Sequence, residues 1–279
     1  MKKTIKLIFF LLILAAAVIF PSYEFNFDVS TVLTSISLLF TILIGFFMAA
    51  ATSNYLGLQA TISKEDSCLI YIYGLIKIIR PTSAEAAAQA VDGYMITALD
   101  YELLEYAAYT NKEFEALVKV IDDVCVSNAG HVLIQNLQSA KGELLTYRME
   151  SVLATQRIVS KKHWFILSIL SVIISILLLS VRDGEVLSSL LIGMVIIAIY
   201  QTLALLYEID SNIFLADKIG YGDEPQTVFR AIGKPEYYPE KALKFVDKKK
   251  LGDKYRVGVY LNYPASFEKT INLVEGSKK

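Results

Sequence analysis

Four apolar blocks without a charged side chain constrain the fold of this chain more than any other feature of its sequence. The blocks are Leu7–Phe20, Thr31–Ala51, Trp164–Val181 and Val186–Tyr207. The last three have the roughly 17–25 residues that a membrane-spanning helix needs. The first is shorter, but Ile5 and the long side chain of Lys6 extend it. With 54% hydrophobic residues, above the average of soluble domains, the sequence predicts an integral membrane protein.

The first block has an alternative interpretation as a signal peptide, because Lys2, Lys3 and Lys6 precede it. Its small residues, Ala15–Ala17, lie inside the apolar run rather than after it. A cut after Ser22 would place a bulky Phe at the third position upstream. We therefore expect this block to be retained as a membrane helix.

The basic residues predict the orientation in the membrane. With the N-terminus in the cytoplasm, the two outer loops contain Arg182 as their only Lys or Arg, and the other 26 of the 27 basic residues lie inside. Positive residues favour the cytoplasmic side. We therefore expect a multi-pass protein of the plasma (inner) membrane with both termini in the cytoplasm.

The predicted fold is an all-α membrane protein with four transmembrane helices in two hairpins. Its segments are a first hairpin at 1–51, a helical cytoplasmic insert at 52–163, a second hairpin at 164–207 and a cytoplasmic C-terminal tail at 208–279. Pro81 should end the helix that continues from the second block. The patterns "TSAE" and "TNKE" are typical of capping boxes and predict helices that begin near Thr82 and Thr110.

The absence of Pro from His131 to Arg182 predicts one helix of about 50 residues that runs into the third block. Its apolar positions, from Leu133 to Ile158, alternate steps of four and three, as in a coiled coil. We expect this seam to pack on other helices of the same chain, with a contact between subunits as the alternative. The tail is predicted to be small and mixed: "DEPQTVFRAIG" indicates a helix closed by Gly233, "GKPEYYPEK" a loop, and "YRVGVYLNY" a strand that pairs with "TINLVE".

The sequence offers no pattern for catalysis or for a cofactor. It contains no phosphate-binding loop, no dinucleotide fingerprint, no zinc-protease motif and no paired cysteines. Cys68 and Cys125 are expected to be buried free thiols. Glu208 and Asp210, at the end of the fourth block, would either form a cation ring in an oligomer or be solvated. Without such motifs the chain is not expected to be an enzyme or to bind metal, and with a net charge of −1 it is not expected to bind nucleic acid.

Small and hydroxyl residues form stripes on the predicted spans. The second block has such a stripe at Thr34, Ser37, Thr41 and Gly45. On a helix these residues share one face, which either packs against another helix or lines a pore, with Phe46 and Phe47 as a hydrophobic neck. The later blocks have candidates for helix packing at Ser168, Ser171, Ser175, Ser189 and Gly193.

The stretch "LLTYRMESVLATQRIVSKKHWFILSIL" resembles the arginine-rich run before a Trp-containing membrane segment in bacterial bestrophin-like membrane proteins, a family of uncharacterised function. The matching positions are Arg148, Arg157 and Trp164. "TSNYLGLQATISKEDSCLIYIYGL" and "EIDSNIF" are more weakly similar, and the resemblance covers roughly Thr31–Phe214. By analogy with true bestrophins it implies an oligomeric anion channel. No acidic calcium clasp of the bestrophin type can be assigned.

Two functions follow from these patterns. The first is a homo-oligomeric ion channel in the lipid bilayer, with the second span near the axis. The alternative is a non-conducting membrane scaffold, whose cytoplasmic helices and tail bind a protein partner.

Overall fold

The computed structural model describes residues 28–101, 109–128, 130–181, 185–211, 223–243, 246, 251–262 and 266–275, with three isolated residues near the N-terminus. The predicted first span, Leu7–Phe20, therefore lies outside the described residues apart from those three. The helices are α1 (Val29–Ile79), α2 (Ala84–Asp100), α3 (Asn111–Ser127), α4 (Ile134–Ala154), α5 (Lys161–Ser180), α6 (Val186–Asp210) and α7 (Asp223–Ala231). The strands are β1 (Glu236–Pro239), β2 (Lys254–Tyr260) and β3 (Lys269–Glu275).

The protein is mostly helical, and three of its described helices can cross a membrane. These are α1, α5 and α6, which are long enough and apolar enough to do so. The chain divides into two compact units. The first consists of Met1–Asn54 and Arg157–Ser211, and the second of Tyr55–Gln156 and Asn212–Lys279. Each unit has its own hydrophobic core, and α1 contributes residues to both.

The prediction of one continuous helix from His131 to Arg182 is wrong. Residues 155–160 break it, so α4 ends at Ala154 and α5 begins at Lys161. Ser160 is in an extended conformation and its hydroxyl caps the amide of His163, as Ser does at helix N-termini. The predicted seam does pack inside its own unit, since Leu137, Ala140 and Leu144 are buried there.

Pro81 does stop the long helix, because α1 ends at Ile79 and a 3₁₀ turn occupies Pro81–Ser83. New helices begin near both predicted capping boxes, at Ala84 and Asn111. The predicted capping boxes are wrong in detail, because the N-cap residue of α2 is Ser83 and not Thr82, and neither Ser83 nor Thr110 caps its helix with its side chain. The Thr110 hydroxyl instead accepts a hydrogen bond from Arg148 at 2.9 Å.

The tail folds into a three-stranded mixed sheet in the order β1-β2-β3. The pairing of β2 with β3 is antiparallel and confirms the predicted strand pair. The predicted loop "GKPEYYPEK" is wrong, because Glu236–Pro239 forms β1 and pairs parallel with β2. Gly233 closes α7 with a positive φ of 74°, a backbone conformation that glycine adopts without strain.

Asp100, the last residue of α2, joins that helix to all three strands. It is 2% exposed. Its Oδ1 accepts hydrogen bonds from the hydroxyls of Tyr237 and Tyr260, each at 2.7 Å, and its Oδ2 forms an ion pair with Lys269 of β3. A buried carboxylate needs such partners, and the sheet supplies the hydrogen-bond donors and the positive charge that stabilise Asp100.

Gly258 of β2 has no room for a side chain, which gives a first prediction. A Cβ there would overlap the phenol of Tyr237, with its Cζ at 2.9 Å. Since Tyr237 is fully buried and bonded to Asp100, we expect Gly258→Ala to lower the free energy of unfolding by about 1–3 kcal/mol. The reaction of Cys68 and Cys125 with a thiol dye on heating measures this change, because both thiols are buried.

Gly142→Ala is the matched control for this prediction. Gly142 lies exposed within α4, and a Cβ there meets nothing within 4 Å. We expect a gain of about 0.5–1 kcal/mol, because Ala loses less conformational freedom in a helix than Gly does. Equal effects of the two substitutions would contradict the close contact at Gly258.

Candidate functional site

One face of α1 is exposed within the membrane-spanning part of the chain. The residues Thr34, Leu38, Thr41, Ile42, Gly45 and Phe46 are exposed, and we call them the open face. The opposite face packs into the core of its unit through Phe40, Ile44 and Phe47. Exposed apolar residues continue along α1 to Leu56, Tyr71 and Ile78. A large apolar helix face left uncovered in one chain indicates contact with lipid or with another chain.

The predicted polar stripe lies on or beside this open face. Thr34, Thr41 and Gly45 are exposed, and Ser37 is half-buried. The Thr34 hydroxyl donates to the Ser30 carbonyl, and the Thr41 hydroxyl to the Ser37 carbonyl, both at 2.8 Å. Each hydroxyl proton is thus donated to a backbone carbonyl of the preceding helical turn and is not available to another partner. These two threonines therefore present acceptor lone pairs, rather than donors, to whatever lies outside.

The two phenylalanines of the predicted neck differ in exposure, although their rings pack edge-on with centroids 5.6 Å apart. Phe46 is 65% exposed on the open face, whereas Phe47 is 7% exposed. The Phe47 ring lies 4.8 Å from the imidazole of His163, between centroids. Of these two phenylalanines, Phe46 is therefore the one that can line a path beside α1.

The small residues of the later spans lie mainly in the interior. Ser171, Ser175 and Ser189 are buried, as is Gly193, whereas Ser168 is exposed. Ser175 donates to the Ser171 carbonyl at 2.7 Å, and Ser189 donates to the Glu185 carbonyl at 2.9 Å. Because these hydroxyls bond within their own helices, the residues contribute to helix packing mainly through their small size, which allows the backbones to approach closely.

Asp210, at the end of α6, holds the start of α5. Its Oδ1 accepts from the backbone amides of Ile158 and Val159 at 2.9 and 3.0 Å, and its Oδ2 accepts from the indole of Trp164 at 3.5 Å. The carboxylate is 5% exposed. The interpretation of Asp210 as solvated or as part of a cation ring is therefore wrong, because its oxygens bind the break between α4 and α5.

Two of the three family-matching residues meet beside Asp210. The Arg157 guanidinium lies 5.5 Å from the centre of the Tyr207 ring, and Trp164 packs edge-on against the same ring at 5.9 Å. Arg148 belongs to the other unit and does not join this cluster.

Arg148 is the centre of a buried polar network between four helices. It is 7% exposed. Its guanidinium donates to Tyr94, Thr110 and Asn111 at 2.8–2.9 Å, and it stacks on the Phe114 ring at 4.5 Å. The Tyr94 hydroxyl in turn donates to Glu65 of α1. The network thus ties α1, α2, α3 and α4 together.

A second buried carboxyl group, Asp66, follows Glu65 on α1. It is 7% exposed. Burial, with the negative charges of Glu65 and Glu224, raises its pKa well above the ordinary value of an aspartic acid. Within the described part of the chain, no group of three His, Cys, Asp or Glu residues is arranged to hold a metal ion.

Comparisons with known proteins place this helical membrane fold in a family. Residues 5–211 match the Bestrophin-like domain. The crystal structure of a bacterial bestrophin homolog from Klebsiella pneumoniae, phased on zinc, matches with a TM-score of 0.64 and 13% identity, over 83% of this chain and 98% of that one. A variant of that homolog matches with a TM-score of 0.65 and 14% identity, over 84% and 100% of the two chains. No curated protein matches the chain.

The match over most of its length shows that this chain belongs to the bestrophin-like family. The resemblance inferred from the residues around Trp164 is therefore confirmed. At these identities the solved structures show a common fold and nothing finer.

Sequence reasoning missed the roles of Glu65, Asp66 and Asp210. A carboxylate in a helical sequence is ordinarily solvated, so nothing in the local pattern marks these three as buried. The break at residues 155–160 also has no Pro or Gly to signal it.

Proposed function

We propose that this protein is a homo-oligomeric anion channel of the bestrophin type, with the open face of α1 turned toward a central axis. The observation that carries the proposal is the contrast between the two faces of α1. One face packs in the core of its own chain, and the other leaves Leu38, Ile42 and Phe46 between 61% and 65% exposed. The choice of anions comes from the analogy with true bestrophins, which are anion channels.

The proposal requires several copies around one axis. A few helices from one chain are too few to enclose an aqueous path, so each copy would contribute its α1. The side chains Leu38, Ile42 and Phe46 follow one another at steps of four and thus lie on one side of the helix. In a ring of copies they form an apolar constriction, which gates conduction by excluding water. Phe46 would form the narrowest part, because its ring is the largest of these three side chains and is 65% exposed.

The proposed topology has four spans. Leu7–Phe20 would be the first span, α1 the second, and α5 and α6 the closing hairpin. The distribution of Lys and Arg supports cytoplasmic termini. The insert and the tail would then face the cytoplasm.

The test compares Phe46→Ala with Phe47→Ala. We expect Phe46→Ala to raise chloride flux into liposomes several-fold, because it removes the exposed ring from the proposed constriction. Thr41→Leu should reduce flux, since it enlarges an exposed side chain one helical turn away. The readout is a chloride-sensitive dye inside liposomes that contain purified protein.

Phe47→Ala is the matched control, because the adjacent ring is buried. We expect it to lower stability by about 3–5 kcal/mol without a rise in flux per folded oligomer. The native mass of the complex in nanodiscs provides the second check: a ring of four or more copies is expected. A monomer or a dimer, or an equal rise in flux from both substitutions, would contradict the channel.

A non-conducting scaffold is the second candidate, and strand β3 favours it. This strand is at the edge of the sheet, and its Ile271 and Leu273 are 43% and 59% exposed. An exposed edge strand with apolar side chains can pair with an extended peptide. Two results together would support this function. The purified protein would show no chloride flux, and removal of the residues after Asp210 would abolish binding of its protein partner.

A further inference from the structure

Asp66 of α1 is a carboxyl group without an evident role in a channel. Its Oδ2 is fully buried, and no described residue donates a hydrogen bond to it. A charged carboxylate in such a place loses the hydration of its Oδ2 without a replacement, whereas the protonated acid has a much smaller penalty. The local structure therefore favours the neutral acid.

The charged groups that act on Asp66 come from two elements, and both are acidic. Glu65 is its neighbour on α1, and Glu224 lies in the first turn of α7. Both charges, added to burial, raise the pKa of Asp66. The nearby polar groups of α2 and α4 serve Glu65, since Tyr94 donates to Glu65 and Arg148 donates to Tyr94.

Glu224 is also the group that fastens α7 to α1. The Ser63 hydroxyl donates to Glu224 Oε2 at 2.6 Å. Ser63 and Asp66 are three residues apart on the helix, so they are neighbours on one face. The contact therefore brings a carboxylate of the tail helix to within one helical turn of Asp66. Further along α7, Val228 and Phe229 are fully buried in the core of this unit.

We propose that the proton on Asp66 holds α7 against α1, and that loss of this proton loosens α7 from the long helix. With Asp66 neutral, the cluster contains the negative charges of Glu65 and Glu224 only. With Asp66 ionised, a third negative charge lies in a buried site. Glu224 is the member of the cluster that moves most readily, because it sits at the start of a nine-residue helix. The docking of α7 is thus a proton-dependent contact that operates whether or not the protein conducts ions.

The sign of the pH dependence follows from linkage. Between the ordinary pKa of an aspartic acid and the raised value in the fold, the native protein holds a proton that the unfolded chain has released. Stability then falls as the pH rises through this window. The docked position of α7 is accordingly favoured at low pH and weakened at high pH.

Hydrogen–deuterium exchange of the full-length protein in nanodiscs tests the proposal. The quantity measured is the protection of residues 223–231 from pH 5 to pH 9, after correction for the intrinsic pH dependence of exchange. We expect protection in the native sequence to fall by about tenfold or more across this range, since one pKa unit corresponds to about a tenfold change in the docking equilibrium. Protection of α4 should stay constant.

Two substitutions distinguish an effect of the Asp66 proton from a general effect of pH on the fold. Asp66→Asn keeps the shape and stays neutral, so we expect the protection of α7 to become independent of pH. Glu224→Gln removes the opposing charge, so the fall should shrink to less than about threefold. A native protein with no pH dependence at α7, or an Asp66→Asn variant that keeps the full dependence, would overturn the proposal.

Infrared spectroscopy of the folded native protein gives an independent check if Asp66→Asn does not fold. We expect the absorption band of a protonated carboxylic acid at neutral pH, and its loss as α7 becomes exposed. Absence of that band at neutral pH would also overturn the proposal.

Discussion

Replacing Arg148 with Met is expected to lower the free energy of unfolding of its unit by about 3–5 kcal/mol. Met fills a similar length of side chain but donates no hydrogen bond. The substitution leaves the buried hydroxyls of Tyr94 and Thr110 without their guanidinium donor. Each buried polar group that loses its partner costs about 1–3 kcal/mol. Glu65, which is 4% exposed and accepts from Tyr94, would stay in the interior with its cationic neighbour removed.

Arg157→Met is the matched control for this substitution. Arg157 is exposed and lies over the Tyr207 ring, so its loss should cost less than about 1 kcal/mol. The thiol-dye assay reports on the unit that contains Arg148, because burial raises the pKa of Cys68 to about 11 and keeps it unreactive until its unit opens. Arg157 belongs to the other unit, so Arg157→Met should leave the reactivity of Cys68 almost unchanged. A loss at Arg148 no larger than that at Arg157 would mean that the network does not stabilise the four helices.

Replacing Asp210 with Ala is expected to cost about 2–4 kcal/mol, because it removes the acceptor of two backbone amides. The amide of Val159 is buried, and that of Ile158 is partly buried, so water replaces the carboxylate only by opening the segment. We expect residues 155–160 to lose protection from hydrogen exchange and α5 to begin later in the chain.

Asp210→Asn distinguishes hydrogen bonding from charge at this position. The amide retains an oxygen that accepts from both backbone amides, so most of the protection at residues 155–160 should remain. If Asn behaves like Ala, the negative charge is the decisive feature, and the geometric account of this contact is wrong.

The sequence predicted the helical membrane class, the helices around Pro81 and the pairing of β2 with β3, because each depends on a local pattern. Three of the apolar blocks lie in helices able to cross a membrane, since a hydrophobic run of that length has few other structures. The family was also recognisable from a short stretch around Trp164. These features need no knowledge of distant contacts.

The failures share a cause in contacts between distant residues. Asp210 lies 51 and 52 residues from the amides that it binds, so no local pattern could signal the break between α4 and α5. The strand β1 looked like a loop because Pro residues flank it, yet it pairs with a strand some 20 residues later. In the candidate site, the sequence assigned Phe46 and Phe47 one shared role, whereas packing in the core of the unit buries Phe47 and leaves Phe46 exposed.

The contacts of Asp100 set an order of events during synthesis. Its partners Tyr237, Tyr260 and Lys269 follow it by 137, 160 and 169 residues. When α2 leaves the ribosome, its final carboxylate has none of these partners, and the hydrophobic segments of α5 and α6 have still to be made. The ribosome therefore completes α5 and α6 before the second unit can close around Asp100. A ribosome that stops short of β3 releases a chain that contains α1, α5 and α6 but leaves Asp100 without its ion pair to Lys269.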